Sequence, residues 1–297
     1  MTPITIDADA YRSIWLHMKE VPFTQQFIEV LGYRTRVVTA GDPSAPAVLL
    51  LHGTGGHWET FSALIPELYR ERFVIAIDMV GNGFSDKPDI PWTTFLYAEH
   101  ALAVLDHFGV ERADLIGSSL GAWVVARIAF ASPERTNRVI LMSPAGLTAS
   151  ASNMARIKRQ RTAAVENPEW TTIKAMFDHL IAEEKDKIPD IIALRQAIYR
   201  KPETLATVDR MLTLQEAGIR EENLLSEDDW HAITAQVLVI VAGKDVGEYT
   251  STARQILELM PNSVGFEMPH VAHWPAFEDP ATFNPVALRF LASGEVR

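Results

Sequence analysis

DLIGSSLGAW, Asp114 to Trp123, is the stretch that decides how this chain is read. Two serines stand side by side between two glycines. Gly117, Ser119 and Gly121 satisfy G-x-S-x-G, whereas Ser118 has no such frame. An apolar run precedes the motif. A stretch that is apolar nearly all round follows it and ends at Pro133, so a buried strand feeds a buried helix. A turn that sharp holds its central residue in a strained backbone conformation. The residues two before and two after crowd each other, so both must be small. The hydroxyl of Ser119 is thereby lifted clear, and the next backbone N–H, that of Leu120, points toward developing negative charge. Ser119 is the candidate nucleophile. The competing reading is a helix N-terminus at which either serine merely caps.

Outward from the motif, further apolar runs read as strands. Ala47–Leu51, Phe73–Ile77, Arg138–Met142 and Val237–Val241 are continuous, as strands buried on both faces should be. Tyr33–Ala40 alternates, which predicts a half-exposed antiparallel strand. Between them, Ala98, Ala101, Leu102, Leu105 and Phe108 share one helical face, with Gly109 as the stop. Strands alternating with helices predict an α/β fold: a mostly parallel central sheet with helices on both faces. The rhythm breaks over 147–230, which is rich in charge and helix formers and holds no convincing strand. The expected organisation is a core of 1–146 and 231–297 with an all-helical insertion of about four helices at 147–230. An insertion after a strand's C-terminal end lies over the crevice where open α/β sheets bind ligands, so it reads as a lid. A helical subdomain elsewhere on the surface is the alternative.

A serine needs a base, and the base needs an orienting acid. In this architecture their order along the chain is Ser, Asp or Glu, then His. Asp245 follows Val237–Val241 directly, with Glu248 as a rival. His270 and His273 both lie between the last strand and the final helix, which Asp279-Pro280 opens as N-cap and N1. Spacing alone leaves the choice of histidine open. The early loop HGTGG supplies Gly53, Gly55 and Gly56, which allow close backbone approach to a ligand, and the Thr54 N–H as second oxyanion donor. His52 is expected to brace that loop. The loop DMVGNGFSDKP lacks the third glycine of a dinucleotide site and is read as flanking the active site.

The remaining composition narrows the class. The chain has 297 residues, 47% hydrophobic and 22% charged, with a formal net charge of -11 and no cysteine. The charge argues against nucleic acid or an anionic membrane as partner. Without cysteine there is no disulfide frame, thiolate catalysis or Cys-zinc site. No metal spacing and no cofactor motif stand out. No apolar run is long enough for a bilayer, and the N-terminal MTPITIDADAYRSIW lacks a signal-peptide pattern. A cytoplasmic protein acting on a small molecule is expected, with assembly into homo-oligomers left open.

Together, HGTGG, DMVGNGFSDKP, GSSLG, AGKD and HW resemble the α/β-hydrolase superfamily. HGTGGHWETF, AIDMVGNGFSDKP, LRQAIYRKPE and AHWPAFEDPATFN are similar to the meta-cleavage product hydrolases, enzymes of aromatic-ring degradation that cleave a C–C bond in a vinylogous 1,5-diketone. That resemblance implies that His273, followed by Trp274, is the base. It implies that Arg195 meets the substrate's dienoate carboxylate and that Trp274 lies on the substrate pocket. It puts Ser118 beside the substrate's oxygen functions, at a position often held by Asn in those enzymes. The implied reaction is hydrolysis of a 2-hydroxy-6-oxo-dienoate without a cofactor. Relatives of similar sequence cleave esters or lactones, and some proteins of this fold are non-catalytic ligand receptors.

Overall fold

The aliphatic runs form the interior of one eight-stranded sheet, described here from a computed structural model covering residues 12–296. The N-terminal residues read above for a signal-peptide pattern lie, up to Tyr11, outside the described residues. The strands are β1 (Phe23–Val30), β2 (Tyr33–Ala40), β3 (Ala47–Leu51), β4 (Phe73–Ile77), β5 (Ala113–Ser118), β6 (Thr136–Met142), β7 (Gln236–Ala242) and β8 (Ser263–Met268). Their order across the sheet is β1-β2-β4-β3-β5-β6-β7-β8. β1, β2 and β4 pair antiparallel, and every pairing from β4 to β8 is parallel.

Alternate residues of the central strands face opposite layers. Leu49, Leu115, Leu141 and Val239 join one core, while Leu50, Ile116, Ile140 and Leu238 join the other. Burial on both faces is why these strands are continuously apolar. Burying each such side chain is worth about 1.5–3 kcal/mol, so the central sheet is a rigid base. Its register sets Leu51 beside both Gly117 and Ile77, which brings the loops after β3, β4 and β5 to one end.

Three details depart from the sequence reading. β2 is antiparallel as expected, but it is mostly buried rather than half-exposed. Thr35 and Arg36 are covered because they have buried partners: Thr35 Oγ1 with His100, and Arg36 with Asp78 and Glu59. β1 was not anticipated; its FTQQFIEV sequence is largely polar and exposed, and it joins β2 through Leu31 and Gly32, both at positive φ. Between β6 and β7 the described residues form seven α-helices rather than about four, several of a single turn, and no strand. Elsewhere the expectations match. The helix Thr94–His107 buries Ala98, Ala101 and Leu105, and Asp279 caps the final helix Pro280–Ser293 by accepting from the Thr282 N–H at 3.1 Å. No helix among the described residues is long and apolar enough to cross a membrane.

Candidate active site

At the end of β5 the chain turns through Ser119, with φ 56° and ψ −112°, into the helix Leu120–Ala131. A positive φ at a residue with a side chain costs about 1–3 kcal/mol. Packing around the elbow enforces it. A Cβ at Gly117 would stand 2.3 Å from the Gly121 backbone, and one at Gly121 would stand 1.9 Å from Leu51 O. The glycines therefore let helix, β5 and β3 meet at backbone distance, which is the steric requirement behind the motif. Neither serine caps the helix through its side chain.

His273 and Asp245 meet as the spacing allowed. His273 Nδ1 lies 3.0 Å from both carboxylate oxygens of Asp245, and the pair is almost fully buried. Glu248, the rival acid, instead accepts from Asn153 Nδ2 at 3.3 Å and lies 3.8 Å from Arg220. His270 is exposed. Ser119 and His273 line one cavity, but share no hydrogen bond in this structure; such contacts are often long before a substrate binds.

The histidine loop is pinned by a residue that the sequence did not single out. The half-buried Glu278 carboxylate accepts from the backbone N–H groups of Ala272 and Trp274 at 3.0 Å and of Ala182 at 2.7 Å. The His273 N–H also donates to Leu180 O at 3.1 Å. Both sets of bonds tie His273 to the helical segment above it. Burial pushes the Glu278 carboxyl above its usual range, against those three donors.

On the opposite wall, the loop after β3 approaches Ser119. A Cβ on Gly53 would lie 3.2 Å from Ser119 Cβ, so only glycine fits without displacement. Among the described residues, the N–H groups of Thr54 and Leu120 donate to no acceptor, which leaves both available to an oxyanion. His52 braces the loop as expected: Nε2 accepts from the Met79 N–H at 3.1 Å, so Nδ1 carries the proton donated to Gly53 O at 2.7 Å. Burial depresses its pKa to about 3 and keeps it neutral. The Gly55 N–H donates to Asn82 Oδ1 at 2.9 Å, so the DMVGNGFSDKP loop is a second brace.

Thr54, Gly53, Ser119, Arg195, His273 and Trp274 share the cavity lining. Gly55 and Ser118 do not line it. Gly55 packs toward Tyr199, and the Ser118 hydroxyl is buried without a partner. Trp274 sits edge-on to Phe177 at 5.5 Å. Arg195, on the helix Pro189–Tyr199, is fully buried, and no carboxylate lies within ion-pair distance of it among the described residues. Its Nε has no hydrogen-bond partner, and its guanidinium lies 5.5 Å from the rings of both Phe177 and Tyr199. Burial, with Arg161 nearby, pulls its pKa down to about 10. Arg161 and Arg156 also reach this cavity from the helix Ala151–Glu166; the sequence reading passed over both.

The family profile described as "Alpha/beta hydrolase family" matches residues 48–286. Among curated proteins, the chain is 26% identical over 271 residues to a 2-hydroxymuconate semialdehyde hydrolase of Pseudomonas sp. (strain CF600), covering 89% of this chain and 92% of that one. Among solved structures, it superposes on the 2-hydroxy-6-oxo-6-phenylhexa-2,4-dienoate hydrolase of Rhodococcus sp. strain RHA1 with a TM-score of 0.81 at 23% identity, covering 92% and 100% of the two chains. It also superposes on a carboxylesterase from Bacillus subtilis with a TM-score of 0.79 at 19% identity, covering 97% of each.

Proposed function

The chain belongs to the alpha/beta hydrolase family, and from that premise we propose that it hydrolyses a carbon–carbon bond in a 2-hydroxy-6-oxo-dienoate. One observation carries the substrate class: the fully buried Arg195, without a carboxylate partner among the described residues, on the cavity that also holds Ser119 and His273. A buried cation is costly unless an anion meets it. A substrate carboxylate supplies that anion through paired, charge-assisted hydrogen bonds.

In this reading the helical segment 147–230 is a lid domain over the core of 1–146 and 231–297. Asp245 orients His273, and His273 takes the Ser119 proton as Oγ bonds to the C6 carbonyl carbon. The Thr54 and Leu120 N–H groups hold the oxyanion. Before the attack the substrate ketonises with help from His273: the 2-hydroxyl proton is lost and one is gained at C5, giving a 2,6-dioxo form. The C5–C6 bond then breaks, and its electron pair forms the dienolate of the five-carbon fragment, which is protonated on oxygen and leaves as a 2-hydroxydienoate. Water, activated by His273, then opens the acyl-Ser119 ester and releases the second acid. Trp274, which lines the cavity and is backed by Phe177, flanks the chain of the substrate. No cofactor enters this sequence of steps, and a cytoplasmic setting suits a cysteine-free chain with a small soluble substrate.

The test is direct. Purified protein is incubated with a ring-cleavage dienoate while its visible absorbance is followed, with a p-nitrophenyl ester in parallel. Rapid bleaching that is lost in Ser119→Ala supports the reading. Turnover of neutral esters far above that of any dienoate replaces it with an esterase.

A further inference from the structure

The candidate base sits on three consecutive backbone N–H groups, those of Ala272, His273 and Trp274, and each has its own acceptor. The His273 N–H donates to Leu180 O at 3.1 Å. The groups on either side of it both donate to the Glu278 carboxylate. Oε1 accepts from Ala272 and Trp274 at 3.0 Å, and Oε2 accepts from Ala272 at 3.1 Å and from Ala182 at 2.7 Å. Leu180 and Ala182 lie just beyond the helix Trp170–Phe177. Met176, His179 and Leu180 line the cavity together with Ser119 and His273. One carboxylate thus joins this cavity wall to the loop that holds the base.

A helix cap explains only part of the arrangement. Glu278 ends the single turn Pro275–Glu278, and its own N–H closes that turn on Trp274 O at 2.9 Å. Capping accounts for the bond from the Trp274 N–H at the start of the turn. It calls for neither Ala272 nor Ala182, and it does not call for an ionised group. Among the described residues no Lys or Arg lies within ion-pair distance of Glu278, and burial holds its carboxyl above the usual range. A neutral amide avoids that cost but has one accepting oxygen where a carboxylate has two. Both oxygens are used here, Oε1 toward the base and Oε2 toward the wall.

We infer that Glu278 is a positioning residue that couples segment 180–182 to His273, so that the base is aligned with Ser119 only while that segment is seated. This rests on His273 being the base, as read above, and not on which bond is cut. A ligand that seats Leu180 is then felt at His273 along two routes, through the Leu180 carbonyl and through Ala182 and Glu278.

The experiment follows the labelling of Ser119 by an alkyl fluorophosphonate, in which Oγ displaces fluoride at phosphorus and His273 takes the Oγ proton. Its rate reads the alignment of the two residues with no assumption about substrate. Glu278→Gln keeps the length but sets an NH2 group against either the Trp274 or the Ala182 N–H. It is expected to label roughly ten- to a hundredfold more slowly per folded molecule, the loss that goes with a displacement of about 1 Å. The proton NMR signal of the His273 Nδ1–H shared with Asp245 is expected to shift or broaden, which a brace remote from the base does not cause. Hydrogen exchange is expected to quicken in 180–182 and 272–274 together. Melting curves give the folded fraction, and Glu278→Asp, too short to span both partners, is the second variant should Glu278→Gln unfold. Labelling at the parental rate with an unmoved signal overturns the proposal. Faster exchange in 272–274 alone overturns the link to the wall. A parent protein that resists the probe overturns the triad itself, and the proposal with it.

Discussion

Replacing Arg195 by methionine should stabilise the empty protein while crippling it toward dienoates. Burial and the neighbouring Arg161 hold the Arg195 pKa at about 10 instead of 12.5. At about 1.4 kcal/mol per pH unit, the fold opposes the charged form by about 3 kcal/mol. Methionine keeps much of the volume beside Met176 and removes that cost. It forfeits the two ring contacts to Phe177 and Tyr199, each worth about 0.5–1 kcal/mol. A net gain of about 1–2 kcal/mol remains, which raises the melting temperature by about 2 °C or more. The sign has a second check. Because the folded pKa is depressed, the cost is fully present below about pH 10 and fades as pH rises beyond it. The difference between parent and variant should shrink accordingly. Lost pairing with the substrate carboxylate costs about 1.5–3 kcal/mol, a drop in dienoate kcat/KM of roughly ten- to a hundredfold, with a far smaller effect on a neutral p-nitrophenyl ester. Calorimetry of both proteins and parallel kinetics decide it. A variant that melts several degrees lower makes Arg195 a structural brace, and equal damage to both substrates refutes its role toward the anion.

Asp245→Asn should cost several orders of magnitude in kcat because His273 Nδ1 loses the carboxylate that holds it, while Glu248→Gln, bonded to Asn153 instead, should be mild; the reverse pattern in steady-state kinetics reassigns the acid. Gly121→Ala puts a Cβ 1.9 Å from Leu51 O, so β3 and the Gly53 loop must move, with a loss of about 1–3 kcal/mol or more in denaturant unfolding; a neutral result means the elbow is looser than its geometry. His52 and His100 are held neutral by burial at about 3 and about 4. Their stability contribution is complete above the unfolded value near 6.5 and is lost as pH falls toward those folded values, about 2 kcal/mol per histidine between pH 6.5 and 5. Urea titrations should show a smaller acid loss, by about that amount, for His100→Gln; an unchanged loss means that His100 is already protonated in the fold.

The sheet and the strand-to-helix turn at Ser119 were legible for the same reason. Both are local requirements that sterics write into few residue types. A strand covered on both faces has to be continuously aliphatic, and a backbone that passes 1.9 Å from a would-be Cβ has to be glycine. The candidate acid and base were legible only as sets. Asp245 and Glu248 are three residues apart, as are His270 and His273, and spacing cannot tell which member turns inward. Burial separates them, for His270 is exposed and His273 is not. β1 was missed because an edge strand answers to its partner rather than to a core, so FTQQFIEV carries little apolar signal.

The residues hardest to read were the polar ones that face inward. Arg156, Lys158, Arg159 and Arg161 crowd one helix, and sequence periodicity assigns arginine to the solvent side by default. That default fails for Arg156 and Arg161, which line a cavity. Glu278 escaped notice for a related reason: one of its three backbone donors, Ala182, is 96 positions away. These groups share a logic. Each buried charge is stable only against a partner. The fold supplies that partner for Glu278 through three N–H groups and for Arg36 through Asp78 and Glu59. Among the described residues no carboxylate lies within ion-pair distance of Arg195 or Arg161. With the Debye length near 8 Å at physiological salt, the net charge of -11 is screened at range and does not set what the cavity accepts. An anion is what the proposed reading brings to Arg195 inside it.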